Sequence, residues 1–165
     1  YMKQIFILRH AKSSWDNREL ADFDRPLSMR GENDAKKLNT FVKKKSFYID
    51  KVLCSSAIRT KETFDLIADG FRFSIEDAIY SEDLYFGSVS NIIDTLRKLD
   101  EKNKSILIIG HNPTLFYLVE ELANERIQKF TTCNLAVLNF GDEWKKLSKS
   151  KCKLKSLYRP KEIKI

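Results

Sequence analysis

Histidine occurs twice in this chain, and each histidine follows closely on a short apolar run. His10 comes after Ile5–Leu8 and one arginine, whereas His111 comes after Ile106–Ile109 and one glycine. Ligands of open α/β sheets bind beyond the carboxyl ends of the strands. A lone histidine is more often structural, but two histidines at two strand ends favour a functional role for both.

Two arginines stand at similar places. Arg9 precedes His10, and Arg59 follows the apolar run Val52–Cys54 and a short polar segment. A guanidinium group stays charged and matches phosphate oxygens with paired hydrogen bonds. A neutral imidazole is a competent nucleophile, and a second imidazole can donate a hydrogen bond to transferring oxygens. If the strands are neighbours, this set suits phosphoryl transfer, although the residues alone do not say which histidine attacks.

The strands that position these residues are predicted from short continuous apolar runs, which are typical of strands buried on both faces. They are Ile5–Leu8, Val52–Cys54, Ile106–Ile109 and Leu135–Phe140, with a weaker candidate at residues 73–80. A hairpin is expected after the last run, at Gly141-Asp142.

Helices are predicted between the strands from apolar stripes at helical spacing. Ser28 and Ser88 are expected to cap two of them, and a further helix is expected to carry Ala57, Phe64, Ile67 and Ala68 on its inner face. Asn112 is expected to cap the helix after His111, with Pro113 as its first residue and its N-terminal amides facing an anion. Alternating strands and helices predict an α/β fold, a three-layer sandwich whose mostly parallel central sheet carries helices on both faces. We expect one domain over residues 2–165.

The bulk composition excludes little. The formal net charge of +7 is concentrated in Lys43–Lys45 and in the segment Lys145–Lys164, and such charge runs usually form solvated faces, so nucleic acid is not an expected partner. No apolar run has the length of a membrane span, and no signal-like segment opens the sequence. With three cysteines in no framework spacing, we expect reduced thiols in the cytoplasm.

Taken together, the three strand-end segments resemble the motifs of the histidine phosphatase superfamily. Leu8–Ser13 is similar to its Arg-His-Gly signature, with alanine where most members have glycine. Ser55–Thr60 resembles the second motif, and Gly110–Pro113 resembles the third. The string Arg-His-Ala-Lys-Ser and the later Asp24–Leu27 are similar to the small phosphohistidine phosphatase branch.

This resemblance implies a phosphoglycerate mutase-like fold and a metal-independent, cofactor-free phosphatase that works through a phosphohistidine enzyme intermediate. It implies His10 as the nucleophile, with Arg9, Arg59 and His111 as the other catalytic residues. The substrate-binding residues that it implies are Arg9, Ser13, Arg59, His111 and Asn112.

The leaving-group acid is expected at Glu82, which falls near the place of a glutamate in larger relatives, with Asp83 beside it. A phosphohistidine substrate needs less help from an acid, because its imidazole departs easily once protonated. Asp24 is expected to be structural, or else to orient Arg25 or line the entrance of the site.

The substrate implied is phosphohistidine on a protein, with inorganic phosphate as product. Two alternatives stay open: a phosphatase for small phosphomonoesters in the same superfamily, and a non-catalytic module that binds phosphoanions or nucleic acid. A cysteine phosphatase loop from Cys54 to Arg59 is disfavoured, because four intervening residues replace the usual five and none is glycine. A metal hydrolase is also disfavoured, because the two histidines are far apart in the sequence and lack the His-Glu-x-x-His or cysteine-cluster spacing of zinc sites.

Overall fold

The structure, a computed structural model, describes residues 2–164. Its strands are β1 (Lys3–Arg9), β2 (Lys51–Ser55), β3 (Ile79–Ser81), β4 (Ser105–Gly110), β5 (Leu135–Phe140) and β6 (Cys152–Tyr158). Its helices are α1 (Met29–Lys45), α2 (Ile58–Phe71), α3 (Asp83–Phe86), α4 (Val89–Arg97) and α5 (Thr114–Ala123). None of the helices in this described part is long and apolar enough to cross a membrane.

One sheet holds the six strands in the order β3-β2-β4-β1-β5-β6. The four strands from β3 to β1 run parallel, and β5 and β6 are antiparallel to their neighbours. In β1, Ile5 and Ile7 pack into the core under α4 and α5, whereas Phe6 and Leu8 pack into the core under α1 and α2. A strand with apolar side chains on both faces is thus covered by helices on both faces. The predicted three-layer α/β sandwich is confirmed.

Serine caps begin two helices as predicted. The Oγ atom of Ser28 accepts a hydrogen bond from the Gly31 amide at 3.1 Å at the start of α1. Ser88 Oγ accepts the amide of Asn91 at 3.2 Å at the start of α4. Each contact satisfies one of the amides that a first helical turn leaves without a partner.

Asn112 does not cap α5, which corrects one expectation. The helix begins at Thr114 without a side-chain cap, and Pro113 lies just before it. The Asn112 side chain instead donates from Nδ2 to the carbonyl oxygen of Phe130 at 2.7 Å. That contact directs the amide toward the site and away from the helix amides.

Two further expectations about strands need correction. Residues 73–80 contain a single 3₁₀ turn, Ile75–Asp77, and only the three-residue edge strand β3 follows it. No tight hairpin forms at Gly141-Asp142, because the chain folds inward there to bury Trp144, whose Nε1 donates to the Asn103 carbonyl at 2.8 Å. The antiparallel partner of β5 is therefore the later strand β6.

Candidate active site

The sheet topology brings the two histidines together. Because β1 and β4 are parallel neighbours, Arg9 lies opposite Gly110, and the next residue of each strand is a histidine. The His10 amide donates to the Gly110 carbonyl at 3.1 Å, which fixes the chain just where it leaves β1. The centroids of the His10 and His111 rings are 5.2 Å apart.

Arg59 reaches the same point from the other side of β4. Strand β2 pairs with β4, and Arg59 lies in the first turn of the helix that follows β2. Its side chain is buried, with only 7% of the residue exposed, and its Nε lies 3.4 Å from Nε2 of His10. Three segments far apart in sequence thus meet at one edge of the sheet.

The hydrogen bonds of His10 determine which ring nitrogen is free. Nδ1 lies 2.7 Å from the carbonyl oxygen of Ala11, and because a carbonyl can only accept, Nδ1 carries the proton. Nε2 therefore presents its lone pair toward Arg59. Burial, followed by the nearby His111, Arg59 and Arg9, lowers the pKa of His10 to about 3 and outweighs the opposing effect of the hydrogen bond to Ala11. His10 is a neutral imidazole at physiological pH.

His111 is also neutral and is held by its own contact. Its Nε2 lies 2.7 Å from the Oγ atom of Ser55 at the end of β2. Burial, Arg59 and Arg9 together lower the pKa of His111 to about 4, against an opposing effect of Asp22. Among the described residues, its buried Nδ1 has no hydrogen-bond partner.

Arg9 and Asn112 share an anchor on the opposite side of the site. Arg9 Nη1 donates to the Phe130 carbonyl at 3.2 Å, the oxygen that also accepts from Asn112. The pKa of Arg9 is lowered by burial and by the nearby Arg59 charge. Its buried Nε–H finds no acceptor in the described part of the chain. Buried donors are almost always paired, so an oxyanion in the site would satisfy this one.

These residues line a cleft of about 230 Å³. All five predicted substrate-binding residues line it. The full lining consists of Arg9, His10, Lys12, Ser13, Trp15, Arg25, Arg59, His111, Asn112 and Thr132. The lining contains four cationic side chains and no carboxylate, so the cleft favours an anion.

Arg25 is a cleft residue whose contacts the sequence did not predict. It is 6% exposed, its Nε donates to the Ser14 carbonyl at 3.1 Å, and its Nη2 donates to the Ser13 hydroxyl. The Trp15 ring stacks on its guanidinium, with the ring centroid 3.2 Å from the guanidinium carbon. The family string Asp24–Leu27 was the only sequence signal for this residue.

The carboxylate that contacts Arg25 belongs to Asp22, although the sequence pointed to Asp24. Asp22 Oδ1 accepts from Arg25 Nη1 at 2.9 Å, and Oδ2 accepts from Arg59 Nη2 at 2.9 Å. Asp24 lies exposed two residues later on the same 3₁₀ turn. A loop has no periodicity, so nothing in the sequence distinguished the two acids.

The structure does not bring Glu82 into the cleft. Glu82 is exposed just before α3 and is not among the lining residues. Tyr85 is the residue of this segment that reaches the site: its hydroxyl donates to Asp22 Oδ2 at 2.6 Å, and its ring lies 5.2 Å from that of His111. The acid role of Glu82 stays a prediction.

The cysteines lie apart from this chemistry. Cys54, Cys133 and Cys152 are free and buried. Burial raises the pKa of the Cys54 thiol, and Cys54 is not part of the cleft lining. The geometry therefore offers no thiolate nucleophile at Cys54. Within residues 2–164, no three histidine, cysteine, aspartate or glutamate side chains are grouped as a metal site.

Known proteins are similar to this chain in sequence and in fold. The family model of the histidine phosphatase superfamily (branch 1) matches residues 5–88. An uncharacterized protein of Mycobacterium leprae is 31% identical, over 93% of this chain and all of its own length. The phosphohistidine phosphatase SixA of Escherichia coli is 29% identical, over 84% of this chain and 86% of SixA.

A solved structure of the protein histidine phosphatase SixA complexed with tungstate superposes with a TM-score of 0.85 and 26% identity. The match covers 98% of this chain and 99% of that one. The family model includes the segments that carry His10 and Arg59, and the M. leprae relative extends the similarity over nearly the whole chain. This chain therefore belongs to the histidine phosphatase superfamily, as a phosphatase with the fold of the SixA proteins.

Proposed function

We propose that this protein removes phosphate from phosphohistidine on a protein, in two steps through His10. The observation that carries the proposal is the unprotonated Nε2 of a neutral His10, whose lone pair accepts only a long hydrogen bond, 3.4 Å, from Nε of Arg59. In the first step Nε2 bonds to phosphorus while the bond from phosphorus to the substrate imidazole breaks. That imidazole nitrogen takes up a proton and leaves. Water then attacks the phosphohistidine, which releases inorganic phosphate and restores His10.

Fixed donors around His10 would stabilise the charge of the transferring group. Arg9 and Arg59 supply guanidinium donors, and His111 lies on the third side. Ser13 and Asn112 complete the proposed substrate-binding set. Helix α5 begins at Thr114, two residues after the cleft residue Asn112, and a helix N-terminus favours a nearby anion. Such preorganised donors act without reorganisation during the reaction, which is the main source of rate in phosphoryl transfer.

The absence of a carboxylate from the cleft lining, among the residues that the structure describes, favours a phosphoramidate substrate over an alkyl phosphate ester, because the two differ in how their leaving groups depart. An alkoxide needs a proton from an acid as it departs, whereas a protonated imidazole leaves readily. The cleft lining has no carboxylate, and Glu82 is exposed outside it. A site with this lining is better suited to phosphohistidine than to an unactivated phosphate ester.

A groove beside the cleft supports a polypeptide substrate. It encloses about 500 Å³ and is lined by Trp15, Asn17, Arg18, Leu20 and Arg25. Trp15 and Arg25 line both spaces, so the groove lies directly beside the cleft. The Trp15 residue is 65% exposed, and an exposed aromatic ring at the mouth of a cleft is typical of a binding surface. SixA, the similar protein solved with tungstate, is itself named a protein histidine phosphatase.

The test is a phosphatase screen that includes a phosphohistidine protein beside small phosphate esters, with and without saturating EDTA. We expect the highest kcat/KM on the phosphohistidine protein and no loss on chelation. Activity restricted to small esters would favour the second candidate, a phosphomonoesterase built on the same cleft. No hydrolysis of any substrate, together with retained phosphate binding, would favour a non-catalytic module. Loss on chelation that a divalent ion restores would contradict the metal-independent mechanism.

A further inference from the structure

We propose that Asp22 is a positioning residue of the phosphoryl-transfer site, which holds the Arg59 guanidinium so that its Nε–H edge faces His10. This proposal rests on the function proposed above. Asp22 does not line the cleft, so it acts on the reaction through the arginine that does.

The contacts of Arg59 define its orientation. Nη1 donates to the backbone carbonyl of Asp22 at 2.7 Å, and Nη2 donates to its carboxylate Oδ2 at 2.9 Å. These two bonds occupy the outer end of the guanidinium fork. Nε is left 3.4 Å from Nε2 of His10. A planar fork fixed at two nitrogens cannot rotate, so its third nitrogen is held toward the nucleophile.

Asp22 also connects Arg59 to the opposite wall of the cleft. Its second oxygen, Oδ1, accepts from Arg25 Nη1 at 2.9 Å, and Arg25 in turn donates to the Ser13 hydroxyl. The carboxylate thus links helix α2 to the segment that follows β1. Loss of the carboxylate would remove one hydrogen bond from each of two arginines.

Tyr85 completes the arrangement from a third side. Its hydroxyl donates to Oδ2 at 2.6 Å, while its ring packs against the ring of His111. The hydrogen bonds from Tyr85, Arg59 and Arg25 lower the pKa of Asp22 and outweigh the opposing effect of burial. The carboxylate therefore stays charged over the working pH range, although almost half of the side chain is exposed.

The opposite role for Asp22 is competition with the substrate for Arg59. Both accounts place an anion on the guanidinium, but they predict opposite signs for one substitution. Asp22→Asn removes a negative charge close to the cleft, so electrostatics alone would make an anion bind more tightly. If Asp22 orients Arg59, the same change lets the guanidinium rotate and makes an anion bind more weakly.

The experiment measures the dissociation constant of tungstate, a tetrahedral oxyanion, together with kcat. For Asp22→Asn we expect tungstate to bind about tenfold more weakly, which corresponds to one well-placed hydrogen bond. We expect kcat to fall by about 10- to 100-fold, the usual cost of a misplaced catalytic group. Unchanged or tighter tungstate binding would overturn the proposal.

Asp24→Asn is the matched control. It removes the same charge from the same 3₁₀ turn, and no described residue is in hydrogen-bond or ion-pair contact with the Asp24 carboxylate. We expect its kcat to stay within about twofold of wild type, as for ordinary surface substitutions. An equal loss in both variants would assign the effect to net charge and contradict a role specific to Asp22.

A double-mutant cycle with Arg59→Lys tests whether Asp22 affects tungstate binding through Arg59. Lysine lacks the fork, so in this background Asp22→Asn should no longer weaken tungstate binding. Weakening of the same size in both backgrounds would show that Asp22 acts independently of Arg59. Tungstate binding requires no turnover, so this measurement judges Asp22 even if the screen finds no hydrolysis and the proposed function fails.

Discussion

Two regions build the cleft, and they are held in place by different means. The strand-end region consists of Arg9, His10, Arg59 and His111, whose backbone is fixed by sheet pairing or by the first turn of a helix. The second region, residues 12–28, is here called the cleft loop and supplies Ser13, Trp15, Asp22 and Arg25. Sheet register places the groups proposed for the chemistry, whereas the cleft loop is closed by a single antiparallel bridge between Ser13 and Leu27 and is held at its middle by charged side-chain contacts.

This difference predicts how each region tolerates change. A strand-end side chain can be replaced without moving its backbone, because the sheet holds that backbone. A cleft-loop contact holds the loop itself, so its loss also moves neighbouring residues. We therefore expect substitutions in the first region to change mainly the rate, except at Arg59, whose side chain also holds Asp22 of the cleft loop, and substitutions in the second region to change both rate and stability.

The largest expected effect comes from the strand-end region, at Arg59. Arg59→Lys keeps the positive charge but loses the fork that faces His10 and Asp22. We expect kcat to fall on the order of a hundred- to a thousand-fold, as for other lost stabilising donors. Circular dichroism should report an unchanged fold. A variant that keeps more than about a third of the wild-type rate would remove Arg59 from the machinery.

A smaller fall is expected when the cleft loop is displaced through Gly31. This glycine lies in the first turn of α1 against the loop, and a Cβ there would lie 2.0 Å from the Lys12 carbonyl oxygen. The same carbonyl accepts the Ser28 amide at 2.9 Å, so backbone must move to make room. For Gly31→Ala we expect a lower melting temperature and a fall in kcat of about 10- to 100-fold.

The control for this substitution is Gly141→Ala. There a new Cβ would meet only the flexible side chain of Met2, at 3.3 Å, in a loop after β5. We expect near-wild-type activity and stability from it. If Gly31→Ala behaved in the same way, the cleft loop would not depend on its packing against α1.

The pH profile separates buried histidines from exposed ones. The pKa of His10 is lowered to about 3 and that of His111 to about 4, so both rings stay neutral well below pH 6.5. With these histidines, kcat/KM should stay constant from pH 7 down to about pH 5, whereas an unshifted nucleophile would lose about tenfold by pH 5.5. A tenfold loss between pH 7 and pH 5.5 that depends on His10 would contradict the assigned environment.

The same lowered pKa values make stability depend on pH. The unfolded chain binds protons at these histidines below about pH 6.5, whereas the folded chain does not bind them until pH falls to about 3 to 4. Their contribution to the free energy of unfolding is thus fully present above pH 6.5 and declines as pH falls toward 3. The double variant with asparagine at both positions should lose this part of the acid sensitivity in denaturant titrations.

The smallest effect is expected at the other edge of the sheet. Lys151, Lys153 and Lys155 are exposed on or beside β6, the edge strand farthest from β3. Replacing all three with glutamine should weaken salt-dependent association with nucleic acid. Hydrolysis of a small ester should stay within about twofold of the wild-type rate. A larger loss of hydrolysis would mean that this basic edge takes part in the reaction.

The sequence predicted the strand-end region of the cleft better than the residues that contact it from turns and short helices. His10, His111 and Arg59 were placed correctly because apolar runs locate strands and parallel strands align their carboxyl ends. Asp22 lies on a 3₁₀ turn and Tyr85 on a four-residue helix. Elements this short produce no periodic pattern of apolar residues from which they could be predicted. Their roles depend on tertiary contacts and could be found only from the folded chain.

The strand β6 was missed for a different reason. The dense lysines of this segment suggested a solvated face, and Lys153 and Lys155 are indeed exposed, but they alternate with the less exposed Cys152 and Leu154. A strand with period-two alternation was therefore visible in the sequence. Outward lysines are a common feature of edge strands, because they discourage pairing with another chain.

Rapid quench with a labelled phosphohistidine protein shows whether His10 carries the phosphoryl group during turnover. The quenched enzyme is then digested and its peptides are mapped. We predict one acid-labile, base-stable adduct on the peptide that contains His10, formed and lost at rates no slower than kcat, and no adduct in His10→Ala. An adduct on His111 or Cys54 with none on His10, or turnover without any adduct, would contradict this prediction.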